Sequence, residues 1–589
     1  MIKILKHFNK RDWLFTLAVF FFVIIQTWLD LKMPSYMNVI TQIAQGAVNP
    51  ETGRLYVFSD IWANGGFMLL CSIASMISSI ITSYFVMNVA ANFSARLREL
   101  LYKKTQRFSA AEIHEFSTDS LITRSTNDIQ HVQLLISMGL QMMIKAPITA
   151  VWAITKISGS QWKWSAALGI AVVIMLISLV VVILIAAKKF ERIQVLTDDM
   201  NRVTRENLSG LRIIRAFNAE DYQIKRFSDV NQEFTKISLF TGQITALLSP
   251  IISGTTSAIS LIIYWVGALI IQETAMTAAW SVFGDMVVFM SYGMQIMGSF
   301  AILAIMFMIA PRALISARRI FEVIETSESM MDGPGVVTGT TGTIEFKNVS
   351  FKYPHADDNA LFDISFKVEK GETVAIIGST GCGKTTLIDL IARFYDATQG
   401  SILINNHDIR DYQKKDLNRK LAYVSQKALL FSGEIDANIN FGDNNASPKQ
   451  IDHAIEISQS REFIDEKKGD EPIRVAQNGS NFSGGQKQRL SIARALARKA
   501  EIYLFDDTFS ALDYRTDKLL RSHLDQEMGD ATRIIVSQRI GTIIDADLIL
   551  VIDNGRIVGK GQHSDLIKSC PTYQEIAYSE LSKEELANA

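Results

Sequence analysis

Six apolar runs in the first half of this chain constrain its fold more than any other feature. They cover residues 13–33, 67–90, 134–156, 162–187, 246–271 and 283–309. Each has about the 20 residues a helix needs to cross the hydrocarbon core of a bilayer. Buried helices of a large soluble protein also give apolar runs, but so many of this length argue for membrane spans. A chain of 589 residues exceeds what one hydrophobic core supports, so at least one further domain is expected. Hydrophobic residues make up 48% of the chain and charged residues 20%, so the two kinds must be kept apart along it. A net charge of −1 gives no electrostatic footprint for nucleic acid. Cys71, Cys382 and Cys570 are too few and too scattered for a disulfide framework or a zinc site. Lys3, Lys6, Lys10 and Arg11 precede the first run with no small-residue cleavage site after it, which reads as a retained anchor.

Charge asymmetry sets the expected orientation. Arg96, Arg98, Lys103, Lys104, Arg107 and Arg124 follow the second run. Lys188, Lys189, Arg192, Arg202, Arg205, Arg212, Arg215, Lys225 and Arg226 follow the fourth. The segments after the first, third and fifth runs hold almost no basic residues, Arg54 being the clear exception. The positive-inside rule then puts both termini, both long connections and the C-terminal half in the cytoplasm, with the chain in the cytoplasmic membrane. The long connections are amphipathic and read as helices, so spans two to five are expected to continue beyond the bilayer. Residues 110–116 and 216–222 are candidate short docking helices within them. Met286, Met290, Met294 and Met297 suit either an adaptable apolar pocket or ordinary helix packing. Lys145, Asp285 and Gln295 should face the bundle interior or an aqueous cavity, and Lys145 has the alternative of an acid on a partner chain.

Gly333-Pro334-Gly335 and the Thr/Gly-rich residues 338–342 mark a linker, 328–342, between a transmembrane domain, 1–327, and a second domain, 343–589. Beyond it come short β-rich runs at 343–346, 373–377, 401–404, 421–425, 502–506, 533–537 and 548–553, with helical stretches between several of them. The expected fold is therefore an all-α six-helix membrane domain followed by an α/β nucleotide-binding domain.

Gly378-Ser379-Thr380-Gly381-Cys382-Gly383-Lys384-Thr385 fits the phosphate-loop pattern, and it lies between an apolar strand and a helix read at 386–394. Its glycines let backbone N–H groups face phosphate oxygens at the positive end of that helix. Lys384 would reach the β- and γ-phosphates of ATP, and the Thr385 hydroxyl would join Mg²⁺. Cys382 reads as a small filler. The strand ending in Asp506 suits a carboxylate that holds the Mg²⁺ hydration shell. Ser483-Gly484-Gly485-Gln486 opens a basic helix read at 486–498, a second anion site in a chain with one phosphate loop. The economical reading is that this helix end serves a nucleotide held by another subunit.

Phosphate loop, Ser483–Gln486 and the Asp506 strand, in that order, resemble the ATP-binding cassette. Six spans followed by one cassette resemble the half-size exporters of that family over nearly the whole chain. So do Glu206 to Phe217 and Leu121 to Asp128 in the two long connections. The resemblance implies an ATPase-coupled translocase whose paired cassettes each complete the other's ATP site. It assigns Tyr353 to stacking on adenine, Thr386 to the ATP site beside the loop, and Gln426 to Mg²⁺. Ser510-Ala511-Leu512-Asp513 becomes the segment that crosses between cassettes.

Two positions depart from the family pattern. The catalytic glutamate position holds Asp507, and the switch histidine position holds Gln538. Aspartate is one methylene shorter, about 1.5 Å, and a misplacement of about 1 Å costs on the order of 10²-fold in rate. Glutamine cannot carry the charge a histidine offers the γ-phosphate. Phe482 replaces the usual leucine before the signature serine, an apolar exchange. The expectation is a subunit of a bacterial heterodimeric exporter of amphipathic compounds, such as drugs. It would bind ATP at a hydrolysis-impaired site and complete the active site of a homologous partner. A lipid flippase of the same fold, and an ATP-gated regulator or channel subunit that does not pump, stay open as alternatives.

Overall fold

The computed structural model describes residues 7–44, 58–157, 162–273, 276–336, 339, 341–441, 446–467 and 473–580. The chain divides into two compact units, Met1–Gln106 with Asp119–Thr326, and Arg107–Thr118 with Ser327–Ala589. Six of its helices, among the described residues, are long and apolar enough to cross a membrane.

In the first unit the apolar runs fall on the helices Lys10–Ala44, Phe58–Thr105, Ile129–Ile157, Trp162–Ser209, Leu248–Glu273 and Met276–Glu325, the fifth run beginning two residues before its helix. Two of these have 48 residues, a rise of about 72 Å at 1.5 Å per residue, against about 30 Å of hydrocarbon. Phe58–Thr105 shows how one sequence serves two surroundings. Leu69, Leu70, Ile73, Ile77 and Ile80 form an exposed apolar stripe, while Ser75, Ser78 and Thr82 are buried on the opposite face. Small polar residues let neighbouring helices approach closely, and the stripe matches lipid. Further along the same helix the buried face turns apolar, with Val86, Val89, Phe93, Leu97 and Leu101.

Outside the apolar runs, ion pairs join the helices. Arg192 lies 2.6 Å from Glu233 and Arg226 2.8 Å from Glu206. Arg124, in a π-helical turn at Arg124–Asp128, pairs with Glu322 at 2.9 Å and donates to the Arg319 carbonyl. Buried Asp128 accepts from Ser316 at 2.7 Å. Two expectations change here. Met286 and Met297 are buried against Trp164, Ile263 and Phe289, with Met290 packed beside them, so ordinary packing explains three of the four methionines. No helix spans 216–222: one helix ends at Ala216, the next starts at Glu220, and Asn218 between them takes φ 47°. Asparagine tolerates that left-handed conformation, which interrupts a helix.

The second unit contains the helix Ala110–Phe116, started by a capping box of Ser109 and Glu112. Buried Glu112 also accepts the Ser329 N–H at 2.7 Å, which ties this helix to the start of the linker. The main sheet has six strands in the order Arg556–Gly561, Leu548–Asp553, Thr373–Gly378, Thr532–Val536, Ile502–Asp506, Leu421–Val424. All neighbours are parallel except the first pair. Its central strands are apolar and largely buried on both faces, as parallel strands covered by helices must be. A four-stranded antiparallel sheet adds Leu361–Val368, Ile344–Phe351, Gln399–Ile404 and His407–Asp408. A smaller helical cluster packs around Leu430, Ile439, Phe463, Phe482 and Leu490.

Candidate functional site

The carboxyl ends of parallel strands are where open α/β sheets hold ligands, and the motif residues gather there. The strand Thr373–Gly378 runs directly into the phosphate loop, and the helix Lys384–Ile391 leaves it. At Gly378 a Cβ would lie 2.1 Å from the Ile552 carbonyl oxygen. Gly383, at φ 105°, would bring a Cβ within 2.7 Å of Leu361. Only glycine fits these two positions, so the loop closes tightly with its backbone bare. Ser379, Thr380 and Gly381 form its exposed rim, and buried Cys382 fills its floor. Burial pushes the Cys382 thiol up, which suits a filler and not a reactive group. The buried Lys384 ammonium donates to the Gly378 and Ser379 carbonyls at 2.8 and 2.7 Å. It is thereby held inside the loop, next to where phosphate oxygens would sit.

Two strands away, buried Asp506 ends Ile502–Asp506 and accepts the Thr385 hydroxyl at 3.1 Å. One hydroxyl and one carboxylate are hard oxygen donors. Mg²⁺ takes few protein ligands and completes its shell with water and phosphate, so the pair fits that ion. Burial pushes the Asp506 carboxyl up, opposed by the Thr385 hydrogen bond. Asp389, on the helix after the loop, is pushed up to about 6, by burial first and by the Asp506 charge second.

Tyr353 hydrogen-bonds Thr386 at 2.8 Å and packs edge-on against Tyr395, with ring centroids 5.3 Å apart. This aromatic wall can take the face of a nucleobase. Tyr395 was not legible as part of it, because no motif or spacing distinguishes it from a core tyrosine.

The residues at the departing positions meet on one atom. Asp507 Oδ2 accepts the Gln426 amide at 3.2 Å and the Gln538 amide at 3.1 Å. Asp507 is buried and takes φ 45°, a left-handed conformation that carries strain for a non-glycine residue. Sequence spacing alone gave no reason to expect the two glutamines on the same carboxylate oxygen.

At the other motif, Ser483 caps the helix Gly484–Ala497 in a capping box with Gln486, at 3.3 and 3.0 Å. The helix thus starts two residues before the expected 486. Its first-turn N–H groups and positive end form an anion site. Phe482 is buried beside Phe463. A Cβ on Gly485 would lie 3.1 Å from the Ala511 carbonyl, so the segment Ser510 to Asp513 packs directly on the signature. Arg539, next to Gln538, donates to the Ser510 carbonyl at 3.0 Å, and Asp513 caps the helix Tyr514–Glu527. Gln488 reaches the Ser425 carbonyl at 3.1 Å, beside Gln426. The signature, the segment 510–513 and the Asp507 cluster are therefore wired together.

Known proteins share this organisation. Residues 16–300 match the ABC transporter transmembrane region, and residues 361–510 match the ABC transporter family. An uncharacterized ABC transporter ATP-binding protein of Mycobacterium tuberculosis is 36% identical, covering 95% of this chain and 94% of its own. An ATP-dependent lipid A-core flippase of Pseudomonas aeruginosa is 30% identical, over 83% of this chain and 80% of its own. The structure of a bacterial Atm1-family ABC exporter with ATP bound matches with a TM-score of 0.80, covering 95% of this chain and 98% of that one. At 23% identity that likeness is one of fold.

Proposed function

The chain belongs to the ABC transporter family, and from that premise we propose that it is the ATP-clamping subunit of a heterodimeric exporter of amphipathic compounds. Its organisation is that of an ABC exporter half-transporter, which works as a dimer in a lipid bilayer, and an ABC cassette binds ATP, generally with Mg²⁺.

The observation that carries it is the double hydrogen bond on Asp507 Oδ2. A general base must present a free carboxylate oxygen to the attacking water. Here Oδ2, one of the two carboxylate oxygens, already accepts two amide N–H groups, which hold a side chain one methylene shorter than glutamate in a fixed orientation. Neither amide can hold a positive charge near the γ-phosphate. Bound Mg·ATP would supply the phosphoryl group and its charge. Lys384, Thr385 and Asp506 would hold it, the Tyr353 wall would orient its base, and Asp507 would leave it largely intact. The capped helix at Ser483 would meanwhile face the nucleotide of a homologous partner and complete a competent site there. In the membrane domain, closure of the cassettes would exchange inward- and outward-facing states.

The test is hydrolysis by this chain alone and in the assembled pair. Little turnover alone and strong turnover with the partner support the reading. Strong turnover by the isolated chain overturns it. A second reading, a lipid flippase of the same fold, draws support from the relative named ATP-dependent lipid A-core flippase. Stimulation of the pair's ATPase by drugs, but not by lipid, separates the two.

A further inference from the structure

The first unit contains a half-open cavity of about 510 Å³ that none of the cassette chemistry uses. We propose that this cavity is a substrate site for amphiphiles with an oxyanion head, a carboxylate or a phosphate monoester, and a single apolar tail. The inference rests on the exporter reading above and names the class of compound it would carry.

One wall of the cavity is polar and unevenly so. Lys145 lies 3.1 Å from Asp30 of the same chain, which replaces the alternative of an acid on a partner. Both Asp30 oxygens are engaged, Oδ2 by Lys145 and Oδ1 by the Ser75 hydroxyl at 2.5 Å. The ammonium has three donors and this pair uses one. An anion can therefore add to Lys145 without breaking the pair, whereas a cation reaches Asp30 only at the lone pairs that Lys145 and Ser75 leave over.

Thr149 stands one helical turn from Lys145 and lines the same cavity. A helical threonine normally donates to the carbonyl four residues back. This one does not: its hydroxyl is buried with no hydrogen-bond partner among the described residues. An unpaired hydroxyl in a low-dielectric interior is costly unless a ligand satisfies it. Thr149 and Lys145 thus place two donors on one helix face beside the cavity, which Gln295 also lines. Ionisable groups inside a membrane domain mark transport pathways more often than they stabilise a fold.

The opposite character comes from Met33, Met37 and Met68, which also line the cavity. Their flexible thioethers adapt to a tail of variable shape. These three, and not the methionines of the sixth span, supply the adaptable apolar surface.

The experiment uses the chain assembled with its partner in nanodiscs, with empty nanodiscs subtracted. Equilibrium binding is measured for radiolabelled dodecyl phosphate and dodecyltrimethylammonium, which share a tail and differ in head charge. The phosphate should bind at least about tenfold more tightly. The double variant Asp30→Asn with Lys145→Met, which strands no charge, should abolish that preference. Thr149→Val, which leaves the ion pair intact, should weaken the phosphate about fivefold and spare the cation. Tighter binding of the cation, or a phosphate preference that survives the double variant, overturns the inference. ATP hydrolysis by the same sample separates the two levels. Hydrolysis without head-group preference removes this inference alone. Phosphate binding in a pair that hydrolyses no ATP removes the exporter reading and leaves the site.

Discussion

The cassette presents two helix N-termini that suit anions, and their surroundings contrast. The helix Lys384–Ile391 starts at left-handed Gly383, has no side-chain cap and is backed by Asp506, Asp507 and Asp389. The helix Gly484–Ala497 starts at Ser483 with a full capping box and carries Lys487, Arg489 and Arg494. The first end holds the groups that would grip Mg·ATP, yet its base position is tied to two neutral amides. The second has every feature of the family pattern except Phe482, which is buried in the helical cluster. Strong binding and fast cleavage are separate requirements, since only groups that act in the transition state accelerate the chemical step. One chain can therefore keep its grip at one end while serving catalysis from the other.

The largest effect expected from this contrast is on the signature end. Gly485→Asp puts a carboxylate on the anion site and a Cβ 3.1 Å from the Ala511 carbonyl. Steady-state ATPase of the assembled pair should fall on the order of 10²-fold. Lys384→Ala in the same pair should cost less than about tenfold, and equal losses would erase the contrast. Next, Asp507→Glu with Gln538→His restores length and a chargeable ring. Hydrolysis at this chain's own loop should rise about tenfold or more, read as ADP formed there in a single turnover. Smaller again, Tyr353→Ala should weaken nucleotide binding about fivefold, the worth of one aromatic contact, in a fluorescent-ATP titration.

The smallest effect is on stability. The Asp389 carboxyl, pushed up to about 6, is favoured in its neutral form by the folded cassette. Its contribution is complete below pH about 4 and is lost as pH rises through about 6. Asp389→Asn should therefore stabilise the nucleotide-free protein at pH 8 by about 1 kcal/mol, after allowance for partial exposure. It should change the melting temperature little at pH 4. Equal effects at both values would mean that Asp389 acts through packing and not charge.

Much of this was legible in the sequence because the signals are local. Apolar runs of bilayer length, a glycine-rich loop between strand and helix, and a Ser-Gly-Gly helix start each carry their own geometry. The strand Leu361–Val368 was missed, although its apolar residues, Leu361, Ile364, Phe366 and Val368, fall largely at alternate positions. It is half-buried and antiparallel, so it lacks the continuous apolar run that marks the parallel strands. Contacts between distant residues were not legible at all. Asp30 and Lys145 are 115 residues apart, and Gln426 and Asp507 are 81 apart. Only the fold brings them together.

If this chain clamps its nucleotide, ATP at its phosphate loop outlasts ATP at the partner's. The direct measurement is photolabelling of the assembled pair during turnover with azido-ATP labelled at the α- or the γ-phosphate. This chain should retain both labels, while the partner, after hydrolysis, should retain only the α-label. Loss of the γ-label from this chain as fast as from its partner would contradict it.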